Sequence, residues 1–133
     1  METFNKVVHF EIHASEPERA VKFYTDVFGW DIKKWEGGAM EYWLVMCCPE
    51  KTPGGINGGI LRRKGDAPAE GCAVNGYVCS LNVENIDMVI ERALGAGATI
   101  AMPKFELAGV GLMAYLKDTE GNIFGLWQEV KKV

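Results

Sequence analysis

The chain lacks several features that mark common functional classes. No stretch of its 133 residues approaches the length of uninterrupted apolar sequence that a bilayer span requires. No basic stripe is present and the net charge is −4, which argues against nucleic-acid binding because phosphates are bound by clustered Lys and Arg. The N-terminus has no basic segment followed by an apolar one. We therefore expect a cytoplasmic protein with neither a membrane nor a nucleic acid as partner.

Zinc-type cysteine spacing is also absent. The four cysteines, Cys47, Cys48, Cys72 and Cys79, form no C-x-x-C pair. We interpret them as small, half-buried side chains in a reducing compartment. The composition, 48% hydrophobic and 24% charged, is typical of a globular protein. This length and composition predict a single domain over residues 1–133 with room for one core.

What the sequence does contain is a weak internal repeat. Residues 13–29 align with residues 81–97, and in both segments a strand-like run leads into an amphipathic helix that ends at a glycine. Residues 55–61 align with residues 121–127 in the same way. Such repeats indicate duplication of a unit that cannot bury its apolar face alone. We expect the two copies to be related by a pseudo-two-fold axis, with a site where they meet.

The first copy, at about 5–63, opens on a clear alternation. Val8, Phe10 and Ile12 point to one side of a strand at 7–13, and three polar side chains point to the other: His9, Glu11 and His13. Ser15 is predicted to cap the following helix, which ends at Gly29. Three further strands are predicted, at 30–35, 42–47 and 56–63.

The second copy, at about 74–132, repeats this order after a polar linker at about 64–73. A strand at 75–83 precedes a helix at 86–94, which ends in the glycine-rich segment 95–97. The remaining strands are predicted at 98–102, where Pro103 interrupts the run, and then at 111–117 and 122–129. The pattern is βαβββ followed by βαβββ, an α+β fold.

This order resembles the vicinal oxygen chelate superfamily, which includes glyoxalase I, bleomycin-resistance proteins and extradiol dioxygenases. The resemblance covers essentially the whole chain and depends most on the run at 20–30, AVKFYTDVFGW, and on the ending at 118–127, DTEGNIFGLW. It implies that each βαβββ module curls into half of a cup-shaped half-barrel and that the two modules close a cavity. Catalytic members hold a divalent metal there with four ligands, one on the first and one on the fourth strand of each module.

At these four positions the chain departs from the pattern that the resemblance implies. His9 stands at the first ligand position, but Gly59 and Gly125 occupy the fourth-strand positions, and Tyr77 (or Val78, if the alignment shifts by one) occupies the remaining one. One imidazole cannot hold a catalytic ion that needs three or four protein ligands. Glu11 and Glu129 lie nearby but do not match the pattern. No cofactor is therefore expected, and His9 would be a ligand only if a divalent metal is present.

We expect instead that the cup binds a small apolar or aromatic molecule, because aromatic and thioether side chains are plentiful in its strands and the two glycines permit close approach. His9 and Glu11 form a candidate acid–base pair. The alternative for this pair is a structural role in hydrogen bonding between strands. The residues expected to contact a ligand are His9, Glu11, Tyr42, Met46, Gly59, Tyr77, Met113, Tyr115, Gly125 and Trp127.

Two other functions stay open. The chain could be an enzyme, either a metal-dependent lyase, isomerase or dioxygenase, or a metal-free one that uses His9 and Glu11. It could also be an interaction module whose cavity is vestigial. A homodimer is expected because exposed edge strands can pair with a second copy and many members of the superfamily dimerise.

Overall fold

The fold consists of two helices and eight strands in the part of the chain that the computed structural model describes, residues 4–38 and 40–130. In chain order they are β1 (Val7–Ala14), α1 (Pro17–Phe28), β2 (Asp31–Lys34), β3 (Trp43–Met46), β4 (Asn57–Arg62), β5 (Val78–Asn82), α2 (Ile86–Gly95), β6 (Thr99–Leu107), β7 (Gly111–Lys117) and β8 (Ile123–Glu129). The α+β class and the repeated βαβββ order predicted from the sequence are confirmed.

The chain forms two compact units with the same internal topology. The N-terminal unit is His9–Tyr77, and the C-terminal unit comprises residues 78–130 together with residues 4–8. In the N-terminal unit the strand order is β2-β3-β4-β1, with β1 and β4 parallel and the other pairs antiparallel. The C-terminal unit has the corresponding order β6-β7-β8-β5, with β5 and β8 parallel. Each repeat of the sequence therefore builds the same four-stranded sheet.

Helix α1 begins one residue later than the sequence predicted. The N-cap is Glu16, whose side chain makes no capping hydrogen bond, so the prediction of Ser15 as the cap is wrong. The Ser15 hydroxyl instead accepts a hydrogen bond from Nε of Arg63 at 3.0 Å, and its carbonyl accepts one from Arg62 at 3.1 Å. The predicted end at Gly29 is confirmed by its left-handed φ of 71°.

The core of the N-terminal unit lies between α1 and one face of its sheet. Its buried members are apolar residues of β1, β3 and β4: Phe10, Ile12, Ala14, Trp43, Val45 and Ile60. Ala20, Val21 and Tyr24 of α1 pack against them. The period-two pattern of β1 is thus confirmed, because Phe10 and Ile12 face the helix and the intervening residues point the other way.

The C-terminal unit has a separate core between α2 and its own sheet. The buried members come from the start of α2 and from three strand regions: Val83, Ile86, Ala114, Leu116 and Leu126. Asn85 caps α2 by accepting a hydrogen bond from the backbone N–H of Met88 at 3.1 Å. The backbone N–H of Ile86, the first residue of α2, donates a hydrogen bond to the side chain of Gln128 at 2.8 Å. The first contact caps the helix, and the second joins its start to β8.

Strand β6 is longer than predicted. It continues through Pro103 to Leu107, so the expectation that this proline interrupts the strand is wrong. The strand lies at the end of the unit's strand order, where a missing N–H costs no ladder hydrogen bond. Its pairing with β7 also shifts register between Ile100 and Met102 and again before Phe105, which accommodates the proline in irregular backbone.

No helix within residues 4–38 and 40–130 has the length and apolar character that spanning a membrane would need.

Candidate ligand-binding site

The sheet of the N-terminal unit has one face free of α1, which we call the His9 face. His9 and Glu11 of β1 lie on it, and register pairs Glu11 with Gly59 of β4. Gly59 is paired on its other side with Leu44 of β3. Leu44 and Met46 alternate with the buried Trp43 and Val45, so they belong to this face, where they are 45% and 39% exposed. The face therefore combines two ionisable groups with exposed apolar side chains.

Tyr42, immediately before β3, crosses this face above Gly59. A Cβ atom added to Gly59 would overlap the phenol ring and hydroxyl of Tyr42, so the ring rests directly on the glycine backbone. The sequence predicted that Gly59 permits a close approach. In this structure the approaching group is the chain's own Tyr42, whose ring also makes an edge contact with Trp35 at a centroid distance of 6.5 Å.

The hydroxyl of Tyr42 joins the two ionisable side chains of β1. It donates a hydrogen bond to Oε2 of Glu11 at 3.0 Å, and Nε2 of His9 lies 2.8 Å from the same oxygen. Glu11 is only 6% exposed and Tyr42 only 8%. A buried carboxylate is stabilised by such a donor, and the three residues form one connected polar group in an otherwise apolar environment.

Burial lowers the pKa of His9 from its ordinary value of 6.5, and the charge of Glu11 opposes the shift without cancelling it. The imidazole is therefore neutral at pH 7.

We expect stability to fall on acidification because of His9. Its pKa is lower in the folded chain than in the unfolded chain, so the unfolded chain binds the proton more readily. The contribution is complete above the unfolded pKa of 6.5 and is lost as the pH falls through the folded pKa. The His9→Gln variant should lose this part of the pH dependence of the unfolding free energy, measured by urea titration between about pH 7 and pH 5.5. His13→Gln is the matched control, and an equal change in both variants would contradict the assignment.

Asn57, the register partner of His9, was missed by the sequence analysis. Its Oδ1 accepts hydrogen bonds from the backbone N–H groups of Cys47 and Cys48 at 2.8 and 3.1 Å, and its Nδ2 donates to the carbonyl of Cys48 at 2.9 Å. Nδ2 also lies 3.3 Å from Sδ of Met46. Asn57 thereby closes the loop between β3 and β4 and positions Met46, a predicted ligand contact. The sequence signal that could have identified it is an asparagine at the end of a loop, directly before Gly58 and Gly59.

Tyr77 lies elsewhere than the sequence predicted. Its ring stacks on Phe10 at 5.2 Å, on the α1 side of the sheet and away from the His9 face. Burial and a hydrogen bond with Tyr24 raise the pKa of Tyr77 to about 12. Strand β5 begins at Val78, and Ser80 pairs with Gly125 as Glu11 pairs with Gly59. Val78 is therefore the counterpart of His9, as the shifted alignment had it.

The other four predicted contacts belong to the C-terminal unit. Met113 and Tyr115 alternate with buried residues of β7, and Gly125 and Trp127 do so on β8, so all four lie on the face opposite α2. Ser80 lies on this face as well. A Cβ on Gly125 would meet Ser80 Oγ and the methyl group of Met113, and the indole of Trp127 covers Gly111 in the same manner.

Ser80 is a second residue that the sequence analysis missed. It is 1% exposed, and its hydroxyl has no hydrogen-bond partner among the described residues. Its place on this face follows only from its pairing with Gly125, and the sequence alone does not give that strand register. The two faces thus differ chemically: one carries the connected group of His9, Tyr42 and Glu11, and the other carries the buried Ser80 hydroxyl beside Gly125.

The residues present do not fit a catalytic metal of the expected type. Three of the four positions, Gly59, Val78 and Gly125, carry no donor side chain, and Nε2 of His9 already lies against the Tyr42 hydroxyl. No group of three or more His, Cys, Asp or Glu side chains suited to an ion is found within residues 4–38 and 40–130. Fewer than three ligands do not hold a divalent ion firmly.

Comparison with known proteins agrees with this fold. A family model described as bleomycin resistance protein-like N-terminal matches residues 6–40. Among solved structures, a glyoxalase/bleomycin resistance protein/dioxygenase superfamily member from Vibrio splendidus has a TM-score of 0.62 at 17% identity, covering 96% of this chain and 100% of that one. The chain has the fold of the vicinal oxygen chelate superfamily, and the resemblance predicted from the sequence is confirmed.

The curated relatives match the chain over only part of their own length. The chain is 29% identical over 122 residues to CFP32 of Mycobacterium tuberculosis, a proposed glyoxylase, and this match covers 89% of the chain but 43% of that protein. It thus spans less than half of the curated relatives that it matches.

Two solved structures of named enzymes share the fold. Methylmalonyl-CoA epimerase of Streptomyces coelicolor, in complex with 2-nitronate-propionyl-CoA, has a TM-score of 0.65 at 15% identity, covering 97% of this chain and 100% of that one. The Mn(II)-bound glyoxalase of Novosphingobium aromaticivorans has a TM-score of 0.63 at 18% identity and covers 98% of this chain and 40% of that one.

Proposed function

We propose that the chain binds a small apolar or aromatic molecule on the His9 face without a catalytic metal. The observation that carries the proposal is the position of Tyr42, which fills the space over Gly59 and hydrogen-bonds to both His9 and Glu11. In the superfamily pattern that space belongs to a metal ligand. Here a phenol connects the remaining polar side chains, and no side chain at Gly59 supplies a donor.

The surroundings of this polar group favour an apolar ligand. Leu44 and Met46 are exposed on the same face although both are apolar, and Trp35 adds an aromatic edge beside Tyr42. Exposed apolar side chains around a few fixed polar groups are typical of small-molecule sites. The coenzyme A derivative held by the Streptomyces coelicolor epimerase supports a small-molecule ligand for this fold in general.

His9 and Glu11 give this site the means for proton transfer. A neutral imidazole in contact, through Tyr42, with a buried carboxylate can accept or return a proton. We propose the pair as acid and base if the bound molecule is a substrate. The Mn(II)-bound glyoxalase supports the alternative of a metal-dependent lyase, isomerase or dioxygenase, and the ligand set of this chain does not favour it. The homodimer and the cytoplasmic location expected from the sequence also stay proposals.

The test is a thermal-shift screen of neutral aromatic compounds against protein treated with EDTA, followed by calorimetry of those that stabilise it. We expect binding without added metal, unchanged by Mn²⁺, Zn²⁺ or Ni²⁺. His9→Ala should weaken binding, and His13→Ala should not. Binding or turnover that appears only after one of these ions is added, and is lost in His9→Ala, would overturn the metal-free proposal in favour of the alternative.

A further inference from the structure

We infer that Tyr42 is a positioning residue that holds His9 in the tautomer with its proton on Nε2. Nδ1 is then the acceptor, so the site selects neutral molecules that present an O–H or N–H group to His9. This inference rests on the proposed function and names its ligand class.

The hydrogen bonds of Tyr42 require a hydrogen on Nε2 of His9. The phenol of Tyr42 has one hydrogen, and its oxygen lies within hydrogen-bond distance of Oε2 of Glu11 and of Nε2 of His9. The hydroxyl donates this hydrogen to Glu11. The contact with His9 then needs a hydrogen of its own, and only Nε2–H can supply it. The chain of donors runs from His9 through Tyr42 to Glu11.

The Tyr42 ring is held rigidly in this arrangement. Tyr42 is buried, and its ring lies directly on the backbone of Gly59, which is held between β1 and β3. A phenol so enclosed cannot rotate away without disturbing the sheet. Because one ring nitrogen of a neutral histidine donates and the other accepts, a donor fixed on Nε2 leaves Nδ1 as the acceptor. Among residues 4–38 and 40–130, the hydrogen-bond partner found for the imidazole ring of His9 is the hydroxyl of Tyr42.

The surroundings of His9 favour a neutral ligand over an anionic one. The buried carboxylate of Glu11 lies one phenol away from His9, and burial already disfavours protonation of the imidazole. An anionic ligand that approached His9 would be repelled by this carboxylate. A neutral molecule with an apolar body and one hydroxyl or N–H group avoids that cost and satisfies Nδ1.

The tautomer can be read directly, because the chain has only two histidines. In long-range ¹H–¹⁵N spectra at about pH 7.5, above the ordinary histidine pKa, wild-type His9 should show the pattern of a fixed Nε2–H tautomer. In Tyr42→Phe the pattern should move toward the mixture of a free imidazole, while the signals of His13 stay in place. An Nδ1–H pattern in the wild type, or an unchanged His9 pattern in Tyr42→Phe, would overturn the role of Tyr42.

The ligand class is tested with a matched pair, 2-naphthol and 2-methoxynaphthalene, which differ in the donor hydrogen. We expect 2-naphthol to bind about tenfold more tightly, the effect of one hydrogen bond to an otherwise unsatisfied acceptor. The preference should disappear in His9→Phe. Equal binding of both probes would overturn the ligand class but not the proposed function. Binding of neither would count against both, whereas the spectra of the free protein still decide the role of Tyr42.

Discussion

Replacing Gly59 with alanine is expected to lower the free energy of unfolding by about 3 kcal/mol, which is the upper part of the usual range for overpacking. The new methyl group would occupy the position of the Tyr42 ring. The backbone cannot retreat because Gly59 is paired with both Glu11 and Leu44. The ring must then move, and its hydroxyl loses the hydrogen bonds that join it to His9 and Glu11. Urea unfolding of the two proteins measures the loss.

Two further variants separate this overlap from a general effect of replacing glycine with alanine. Gly76→Ala adds the same methyl group where no atom lies within 4 Å, and it should change stability little. Tyr42→Ala removes the obstructing ring, so the double variant should be more stable than the sum of the two single losses predicts by at least about 1 kcal/mol. Strict additivity of the two substitutions would contradict the proposed overlap.

Asn57→Ala is expected to cost about 2 kcal/mol, since it leaves two backbone N–H groups without their acceptor. Those groups belong to Cys47 and Cys48, and the same side chain also donates to the carbonyl of Cys48. Opening of the loop between β3 and β4 should accompany the loss, seen as faster amide hydrogen exchange at residues 47–56. Ligand binding should weaken as well, because Met46 is positioned through Asn57.

The control for Asn57 is Asn75→Ala. Asn75 also hydrogen-bonds locally, to Cys72 and to the carbonyl of Ala73, but it is exposed, so its replacement should change the unfolding free energy by less than about 0.5 kcal/mol. A loss in this variant equal to that of Asn57→Ala would show that the effect does not depend on closing the loop.

The sequence was sufficient for the elements whose signals are local. Alternation in β1 predicted which side chains face the helix, and the glycine at position 29 predicted where α1 ends; both are confirmed. The repeat of glycines at 59 and 125 predicted corresponding strands, and the pairing Glu11–Gly59 and Ser80–Gly125 bears out that correspondence. These features depend on residues that are close in sequence or repeated at a fixed distance.

The errors concern features that depend on distant partners. Ser15 has the right chemistry for a cap, but Arg63, 48 positions along the chain, takes its hydroxyl as an acceptor. Pro103 disfavours a central strand, whereas β6 is paired only with β7 in its unit, a fact that topology alone decides. Local sequence cannot contain either piece of information.

The members of the candidate site stay a prediction, and the structure shows an arrangement of them that the sequence did not predict. His9, Glu11, Tyr42 and Gly59 were all expected to contact a ligand, and the structure brings these four together within the N-terminal unit. That Tyr42 would itself occupy the space above Gly59 depends on the register of β3 against β4, which places the glycine opposite Leu44. Tyr77 was misplaced for a similar reason, since one residue of register separates it from Val78 at the start of β5.

Each unit packs its own helix over its own apolar cluster. The register partners of the two helix-free faces differ, since Glu11 pairs with Gly59 in one unit and Ser80 pairs with Gly125 in the other. His9 and Glu11 of the first unit thus correspond to Val78 and Ser80 of the second. The strand pairing is shared by the two units, while the chemistry of their helix-free faces is not.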